Sequence, residues 1–412
     1  MDASGPWRAT ARGAGLLGPD GTPAPTVFAE TTELADRAGA VNLGQGFPDE
    51  DGPAEVLEAA VAAIRAGRNQ YAPARGLPEL RAAVADHRLR RFGVRPDPER
   101  EVLATAGASE GIAAAMLAFL EPGDEVVTVE PYYDAYAALA GRTGARLRTV
   151  PLRREPVSGG FRLDPQDVRA AFGPATRMVV VNTPHNPSGM VLDRELGGLL
   201  VELAAEHDAI ILSDEVYEEL VYEGAHLPIA ALPGARERTI TVSSGGKTFS
   251  TTGWKIGWLT APAELATAVL AVKQYLSFAN GTPFQHAIAT GLRLPDEVLA
   301  ARRERMRARR DLLCQALEQA GLDVVRPQAG YFVCADARPL GVRDAAALCR
   351  AMPERIGVAA VPLAALCARG GEGAERYGSW LRFAFCKREE VLREAARRLA
   401  ALSASSAPSA SL

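Results

Sequence analysis

From about residue 100 onwards, short apolar runs alternate with segments whose apolar positions recur at helical spacing. The short runs predict strands, and the helically spaced segments predict helices. The predicted strands are 101–105, 125–129, 146–150, 178–181, 209–212, 239–242 and 255–259. The predicted helices between them include 109–120, 136–140 and 194–206. This alternation is typical of an α/β fold, with a largely parallel sheet wrapped by helices.

The rest of the pattern predicts a second, smaller α/β domain. A long helix is expected beyond residue 290, followed by mixed elements that end in a strand at 380–385 and a helix at 389–402. A chain of 412 residues is long enough for two cores. We expect a disordered segment (1–24), an N-terminal arm joining the small domain (25–52), a large domain (53–290), a small domain (291–402) and a disordered tail (403–412).

Composition and charge exclude several classes of protein. The formal net charge of −4 gives no reason to expect nucleic-acid binding. The arginine-rich stretch 301–310 is interpreted as the solvent-exposed face of a long helix. Five cysteines without a CxxC pair argue against a disulfide framework or a metal site. No apolar run approaches the roughly 20 residues needed to span a bilayer, and the N-terminus lacks the apolar core of a secretory signal. We therefore expect a cytoplasmic protein.

Most of the polar motifs in the large domain follow predicted strands. They include residues 107–111, 182–189, 213–217, 244–247 and 252–257. The carboxyl ends of strands are where open α/β sheets bind ligands, so these motifs are expected to share one cleft. Their residue types suit pyridoxal 5'-phosphate (PLP), which needs an amine, a carboxylate and a phosphate site.

Four residues match the needs of the cofactor ring. Lys247, after two glycines, supplies an amine for the cofactor aldehyde. Asp214 follows an apolar strand and supplies a carboxylate for the pyridine nitrogen. Tyr217, and Asn186 from the other side, are expected to donate to the phenolic oxygen of the ring. We expect Lys247, Asp214 and Tyr217 to be catalytic, although residues 186–189 taken alone also suit a plain turn.

The phosphate and the substrate require further groups. Ala108 and Ser109 open a helix whose N-terminus suits a phosphate, and Ser244 and Lys255 complete that set. A ring contact is expected from an aromatic residue, Tyr133, which equally suits a core position. Arg382, inside an apolar strand, is expected to bind the substrate carboxylate, with an internal salt bridge as the alternative.

With these residues in place, residues 26–402 resemble the class I aminotransferases of PLP fold type I. Lys255 is similar to the kynurenine, glutamine and methionine aminotransferase branch, because most of the family has Arg there. The segments 331–336 and 383–387 resemble actinobacterial N-succinyldiaminopimelate aminotransferases. The resemblance implies transfer of an amino group from an L-amino acid to a 2-oxo acid such as 2-oxoglutarate. The named branches leave N-succinyl-LL-diaminopimelate, methionine and glutamine open as donors.

The same resemblance implies further site residues and a homodimer. The backbone N–H of Gly46 is expected to help bind the substrate carboxylate. Phe28 stands where kynurenine-type enzymes carry Trp, and we expect it to contact the substrate. Tyr71 resembles the tyrosine that enters the phosphate site of the neighbouring subunit, which implies composite active sites in a homodimer.

Three alternatives stay open at this stage. The first is a cysteine-S-conjugate β-lyase with the same cofactor, and the second is a kynurenine-type aminotransferase. The third is a PLP-sensing regulator, which would need a DNA-binding module for which about 25 N-terminal residues are too few.

Overall fold

The computed structural model describes residues 5–18, 20–155 and 159–402. The helices are α1 (Trp7–Gly13), α2 (Val27–Ala38), α3 (Ala54–Arg65), α4 (Pro78–Phe92), α5 (Gly107–Phe119), α6 (Asp134–Thr143), α7 (Pro165–Ala171), α8 (Arg194–Glu206), α9 (Gly245–Thr248), α10 (Ala263–Lys273), α11 (Thr282–Leu292), α12 (Asp296–Gln319), α13 (Ala345–Ile356), α14 (Glu372–Arg376) and α15 (Glu389–Leu399). The strands are β1 (Val41–Asn42), β2 (Val102–Ala106), β3 (Glu125–Glu130), β4 (Arg146–Pro151), β5 (Arg153–Arg154), β6 (Phe161–Arg162), β7 (Thr176–Asn182), β8 (Ile210–Asp214), β9 (Thr239–Ser244), β10 (Ile256–Thr260), β11 (Asp323–Val325), β12 (Phe332–Asp336), β13 (Val358–Ala359), β14 (Val361–Pro362) and β15 (Trp380–Ala384).

A seven-stranded sheet forms the centre of the molecule, in the order β2-β10-β9-β8-β7-β3-β4. Its neighbouring strands are parallel except for β10, which runs antiparallel to both β2 and β9. Apolar side chains cover both faces, and two separate apolar clusters lie on opposite sides of the strands. The predicted α/β class and the seven predicted strands are confirmed, and no strand end is shifted by more than two residues.

A four-stranded antiparallel sheet, β11-β12-β15-β14, lies in the C-terminal part of the chain. Strand β1 pairs in parallel with β13, and Leu43 packs in the same apolar cluster as Leu313 and Phe383. The segment before residue 52 therefore packs on C-terminal elements. The exact domain boundaries stay a prediction.

The N-terminal segment differs from the expected disorder. Helix α1 lies against α6, and the two meet at a pair of glycines, Gly13 and Gly141. A Cβ placed on Gly141 would lie 2.6 Å from the carbonyl oxygen of Ala9, so only glycine permits this close approach. The expectation of disorder is thus wrong for α1, because Gly13 and Gly141 have no side chains and let the helix pack closely on α6. Residues 1–4, 19 and 403–412 lie outside the described part of the chain.

The prediction that the arginines of α12 lie on an exposed face also needs correction. Arg305 and Arg307 are exposed as expected, whereas Arg302, Arg309 and Arg310 are buried. Arg309 donates two hydrogen bonds to Glu50, at 2.8 and 2.7 Å, and Arg310 donates one to the carbonyl of Pro327 at 2.9 Å. These arginines are buried because polar partners meet their guanidinium groups. No helix among the described residues is long and apolar enough to cross a membrane.

A buried ion-pair network fixes the chain after β8. Arg88 of α4 is fully buried and donates to Glu218 at 3.0 Å and to Glu215 at 3.1 Å. The hydroxyl of Ser213 donates to the second oxygen of Glu215 at 2.8 Å, and Ser243 donates to that of Glu218 at 2.7 Å. Because every carboxylate has two kinds of partner, the segment after β8 is held in one conformation.

Replacing Arg88 by Met is expected to lower the free energy of unfolding by about 3–5 kcal/mol, because two buried carboxylates lose their cation. Arg95→Met is the matched control, since Arg95 pairs with Asp86 at 3.0 Å on the exposed surface. The control is expected to lose less than about 1 kcal/mol. Urea unfolding of both variants gives the comparison, and equal losses would contradict this account.

Candidate active site

The carboxyl ends of the central strands converge on one cavity of about 260 Å³. Strands β7, β8 and β9 end there at Asn182, Asp214 and Ser244, and β2 leads there into α5. The cavity is lined by Gly107, Ala108, Ser109, Ile112, Tyr133, Tyr136, Asn182, Asn186, Asp214, Val216, Tyr217, Ser244, Lys247, Thr252 and Lys255. All the cofactor-binding residues expected from the sequence are in this set except Tyr71.

Lys247 lies in the short helix α9, directly after β9, and its amine points into the cavity. The Nζ atom donates to the carbonyl oxygen of Gly46 at 2.9 Å. It also lies 5.7 and 5.6 Å from the ring centroids of Tyr217 and Tyr331. Burial lowers the pKa of Lys247, which favours the neutral amine that attacks an aldehyde.

Asp214 is buried at the end of β8 and has one strong partner. The hydroxyl of Tyr136 donates to its Oδ2 at 2.6 Å. Burial raises the pKa of Asp214 to about 6, against the opposing effect of the Tyr136 hydrogen bond. A cationic partner such as a protonated pyridine nitrogen would stabilise its charged form.

The N-terminus of α5 provides backbone amides at the other end of the cavity. Gly107, with φ of +71°, begins the helix, and Ala108 and Ser109 follow. A Cβ placed on Gly107 would lie 3.2 Å from the amine of Lys255, so the cation sits close to the helix start. Burial raises the pKa of Tyr133, and a hydrogen bond with Ser109 opposes this rise. Amides, a hydroxyl and a cation together suit a phosphate.

Arg382 of β15 approaches the cavity from the C-terminal sheet and is almost completely buried. Its guanidinium donates to the carbonyl of Gly44 at 2.7 Å and to the side-chain oxygen of Asn186 at 3.4 Å. Its Cζ lies 4.0 Å from the ring centroid of Phe332 and 5.1 Å from that of Phe28. Among the described residues no carboxylate forms an ion pair with Arg382, and its Nε has no partner. Within that part of the chain, the internal salt bridge is therefore not found.

Tyr71 is the expected residue that the structure does not bring to the cavity of its own chain. Its side chain is 83% exposed and makes an edge contact with Phe278, with ring centroids 5.7 Å apart. Tyr275 and Leu276, shortly before Phe278 in the sequence, are also exposed, at 85% and 50%. This location leaves Tyr71 accessible to another molecule.

Sequence reasoning missed three residues that support the site. Tyr136 was placed only as part of a helix, although it follows Tyr133 at helical spacing. Tyr331 donates from its hydroxyl to the backbone carbonyl of Lys247 at 2.8 Å, and Arg302 donates to that hydroxyl at 3.3 Å. Tyr331 begins the segment 331–336, but no local pattern there indicates this tertiary contact, and Arg302 acts on Lys247 only through Tyr331.

This cleft, with a buried lysine and aspartate at the carboxyl edge of a parallel sheet and an arginine from a second sheet, defines a fold type I transferase. The family model described as aminotransferase class I and II matches residues 38–399. The chain therefore belongs to the class I and II aminotransferases and is an enzyme that transfers an amino group from an amino acid to an oxo acid. The predicted family is confirmed.

Known aminotransferases align with almost the whole chain. A probable N-succinyldiaminopimelate aminotransferase of Mycobacterium tuberculosis is 50% identical over 92% of this chain and 96% of its own length. The methionine aminotransferase of Escherichia coli is 37% identical over 91% and 95%. The solved structure of the N-succinyldiaminopimelate aminotransferase from Mycobacterium tuberculosis superposes with a TM-score of 0.89, at 49% identity, covering 92% of this chain and 97% of that one.

Replacing Asp214 by Asn is expected to stabilise the cofactor-free protein in a pH-dependent way. Because burial raises the pKa of Asp214 from 3.8 to about 6, the folded state binds its proton more tightly than the unfolded state. The carboxylate therefore costs stability as pH rises from about 4 to 6, by up to about 3 kcal/mol above pH 6.

Urea unfolding of wild type and Asp214→Asn between pH 4 and 8 measures this difference. The advantage of the variant is expected to be small at pH 4, to grow up to pH 6 and to stay constant above it. The same exchange at the exposed Asp86 is the control. A difference at Asp214 that does not change with pH would show that burial does not raise this pKa.

Proposed function

We propose that this aminotransferase uses PLP at the 260 Å³ cavity and takes N-succinyl-LL-diaminopimelate as its amino donor. The observation that carries the cofactor assignment is the meeting of Lys247, Asp214 and the start of α5 in one cavity. When bound, PLP supplies an aldehyde that condenses with amines and a ring that accepts an electron pair. The following roles are those of the chain's own residues.

Each end of the cavity suits one part of this cofactor. The amides of Ala108 and Ser109, with Ser244 and Lys255, would hold the phosphate. Asp214 would pair with the ring nitrogen, and the hydrogen bond from Tyr136 fixes the carboxylate for that contact. Tyr217 and Asn186 would face the phenolic oxygen, where hydrogen bonds stabilise an anion. Tyr133 would cover one face of the ring.

Lys247 has a second role as the proton carrier. Its lowered pKa favours a neutral amine, which can take the proton from the Cα atom of the amino acid and deliver it to the carbon on the far side of the amino nitrogen. The carbonyl of Gly46 and the rings of Tyr217 and Tyr331 define where the free amine rests between these transfers. The amino group then passes to a 2-oxo acid by the same steps in reverse, which gives a ping-pong sequence.

Arg382 orients the substrate. Its fork-shaped guanidinium is suited to a bidentate contact with the α-carboxylate, and Gly44 and Asn186 already fix its plane. Gly46 would add its backbone N–H, since within the described chain that group makes no other hydrogen bond. Phe28 and Phe332 flank the guanidinium and exclude water from the contact.

The donor is assigned by similarity to relatives. The 50% identity with the mycobacterial N-succinyldiaminopimelate aminotransferase exceeds the 37% identity with the methionine enzyme. The substitution of Phe28 for the Trp of kynurenine-type enzymes also argues against an aromatic donor. We propose 2-oxoglutarate as the acceptor.

Replacing Lys247 by Arg is expected to abolish transamination, because a guanidinium keeps the charge but neither condenses with the aldehyde nor carries the proton. The rate of 2-oxo acid formation from N-succinyl-LL-diaminopimelate measures the effect, with a loss of at least about 10⁴-fold. Phosphate contacts survive, so the variant is expected to retain bound PLP. Transamination by this variant at a rate near wild type would overturn the proposed role.

We also propose a homodimer in which Tyr71 completes the phosphate site of the partner subunit. The support is the exposure of Tyr71, which contacts the exposed Phe278, with the exposed Tyr275 three residues before Phe278; a second copy would cover this aromatic surface. Tyr71 would then add a hydroxyl to the amides of α5.

Mixing two defective variants tests this arrangement. Lys247→Ala and Tyr71→Ala homodimers are each expected to have little activity, because every site carries one defect. After mixing and subunit exchange, half the dimers are mixed and one site in each is intact, so activity is expected to recover to about a quarter of wild type. Recovery shows that Tyr71 acts across the interface, and mixed dimers without recovery would contradict it.

A further inference from the structure

A second cavity, of about 650 Å³, borders the candidate active site. Elements α1, α2, α6 and α13 and the segment 362–369 line it. The two cavities approach each other at the start of α6, since Tyr133 lines the smaller cavity and its chain neighbour Asp134 lines the larger one. A side chain leaving the reacting carbon could therefore extend into this space.

Helix α2 lies between the larger cavity and Arg382. Phe28 packs its ring 5.1 Å from the Cζ of Arg382, while Val27, Glu30 and Thr31 of the same helix line the larger cavity. One turn of α2 therefore contacts both the proposed carboxylate site and the neighbouring space. A substrate held by Arg382 has this cavity within reach.

The charges around the larger cavity favour an anionic ligand. Arg12, Arg350 and Arg369 line it, and among the described residues none of their side chains forms an ion pair or a hydrogen bond. The acidic lining groups are Glu30 and Asp134. Burial raises the pKa of Asp134, and the charge of Arg382 opposes this rise, so Asp134 already has a cation near it. Within the described chain, the cavity is thus lined by three arginines without ion-pair partners and by only two acidic residues.

The wall that carries Arg12 is built into the fold. Helix α1 docks on α6 through Gly13 and Gly141, which permit contact between the two backbones. Arg369, from the far side of the cavity, packs against Gly15, where a Cβ would lie 2.7 Å from its Nε. The N-terminal segment is therefore held on both sides of the space.

We propose that this cavity is the subsite for the distal end of the amino donor, and that Arg12 and Arg369 bind a carboxylate there. The ligand class is an amino acid whose side chain is several atoms long and ends in one or more carboxylates. This inference rests on the proposed function, because N-succinyl-LL-diaminopimelate carries two carboxylates at its distal end. Methionine, which has no distal charge, gains nothing from these arginines.

Arg12→Ala and Arg369→Ala test the subsite with two donors. For N-succinyl-LL-diaminopimelate, each variant is expected to lower kcat/KM about tenfold, mainly through KM, because a charge-assisted contact is lost. For methionine, kcat/KM is expected to change less than about twofold. Arg8→Ala is the matched control, since Arg8 lies on the same helix but does not line the cavity. Arg12→Lys is expected to restore part of the loss.

Gly141→Val changes the docking of α1 and the cavity wall that Gly141 itself lines, without removing a charge. Its side chain would collide with the carbonyl of Ala9, so α1 is displaced and Arg12 moves with it. The variant is expected to reproduce the donor-selective loss of Arg12→Ala. Equal losses for both donors in all these variants would overturn the subsite. The subsite would also be overturned if free arginine were the preferred donor and its kcat/KM rose in Arg12→Ala. The distal group of the donor would then be a cation.

Calorimetry of the cofactor-free protein separates this inference from the proposed function. Binding of N-succinyl-LL-diaminopimelate is expected to weaken about tenfold in Arg12→Ala and to stay unchanged in Arg8→Ala. Unchanged binding in Arg12→Ala would overturn the subsite even if the wild type transaminates this donor. If the wild type transaminates no donor but the binding difference appears, the proposed donor fails and the anionic subsite stands.

Discussion

The contact on which the rest of the site depends is the buried ion pair of Arg88 with Glu215 and Glu218. It holds the chain at the end of β8 so that some side chains point into the cleft and others point away from it. Glu215 and Glu218 point towards α4, while Asp214 and Tyr217 line the cleft. Burying three charges costs desolvation energy, which is offset only while all partners are present. The position of Asp214 is therefore coupled to a network that never contacts a substrate.

Inside the cleft, one physical cause acts on three groups. Burial lowers the pKa of Lys247, raises that of Asp214 to about 6 and lowers that of Arg382 to about 10. Each group is thus shifted towards its neutral form, and a ligand of opposite charge stabilises the charged forms of Asp214 and Arg382. Transfer of an amino group requires a neutral amine, a carboxylate that can bind a cation and an arginine that can bind an anion. The same desolvation links ligand binding to stability.

The sequence predicted the parts of this site that local pattern determines. Residues that end apolar strands, such as Asp214 and Ser244, share the cavity because parallel strands place their carboxyl ends together. The support of Lys247 by Tyr331, and of Tyr331 by Arg302, was beyond such reasoning, since these residues come from distant segments. The docking of α1 was missed because a Gly- and Ala-rich segment has the composition of a disordered chain, and only the partner surface at Gly141 makes it a helix with a fixed place.

The most direct test is an absorbance titration of the purified wild-type enzyme with N-succinyl-LL-diaminopimelate, methionine, glutamine and kynurenine in turn. The account predicts a visible band from PLP bound at Lys247. That band disappears most readily with N-succinyl-LL-diaminopimelate and returns when 2-oxoglutarate is added. Absence of any visible band after addition of PLP would contradict the roles assigned to Lys247 and Asp214. Conversion by another donor alone would leave the cofactor site in place and contradict the assigned substrate.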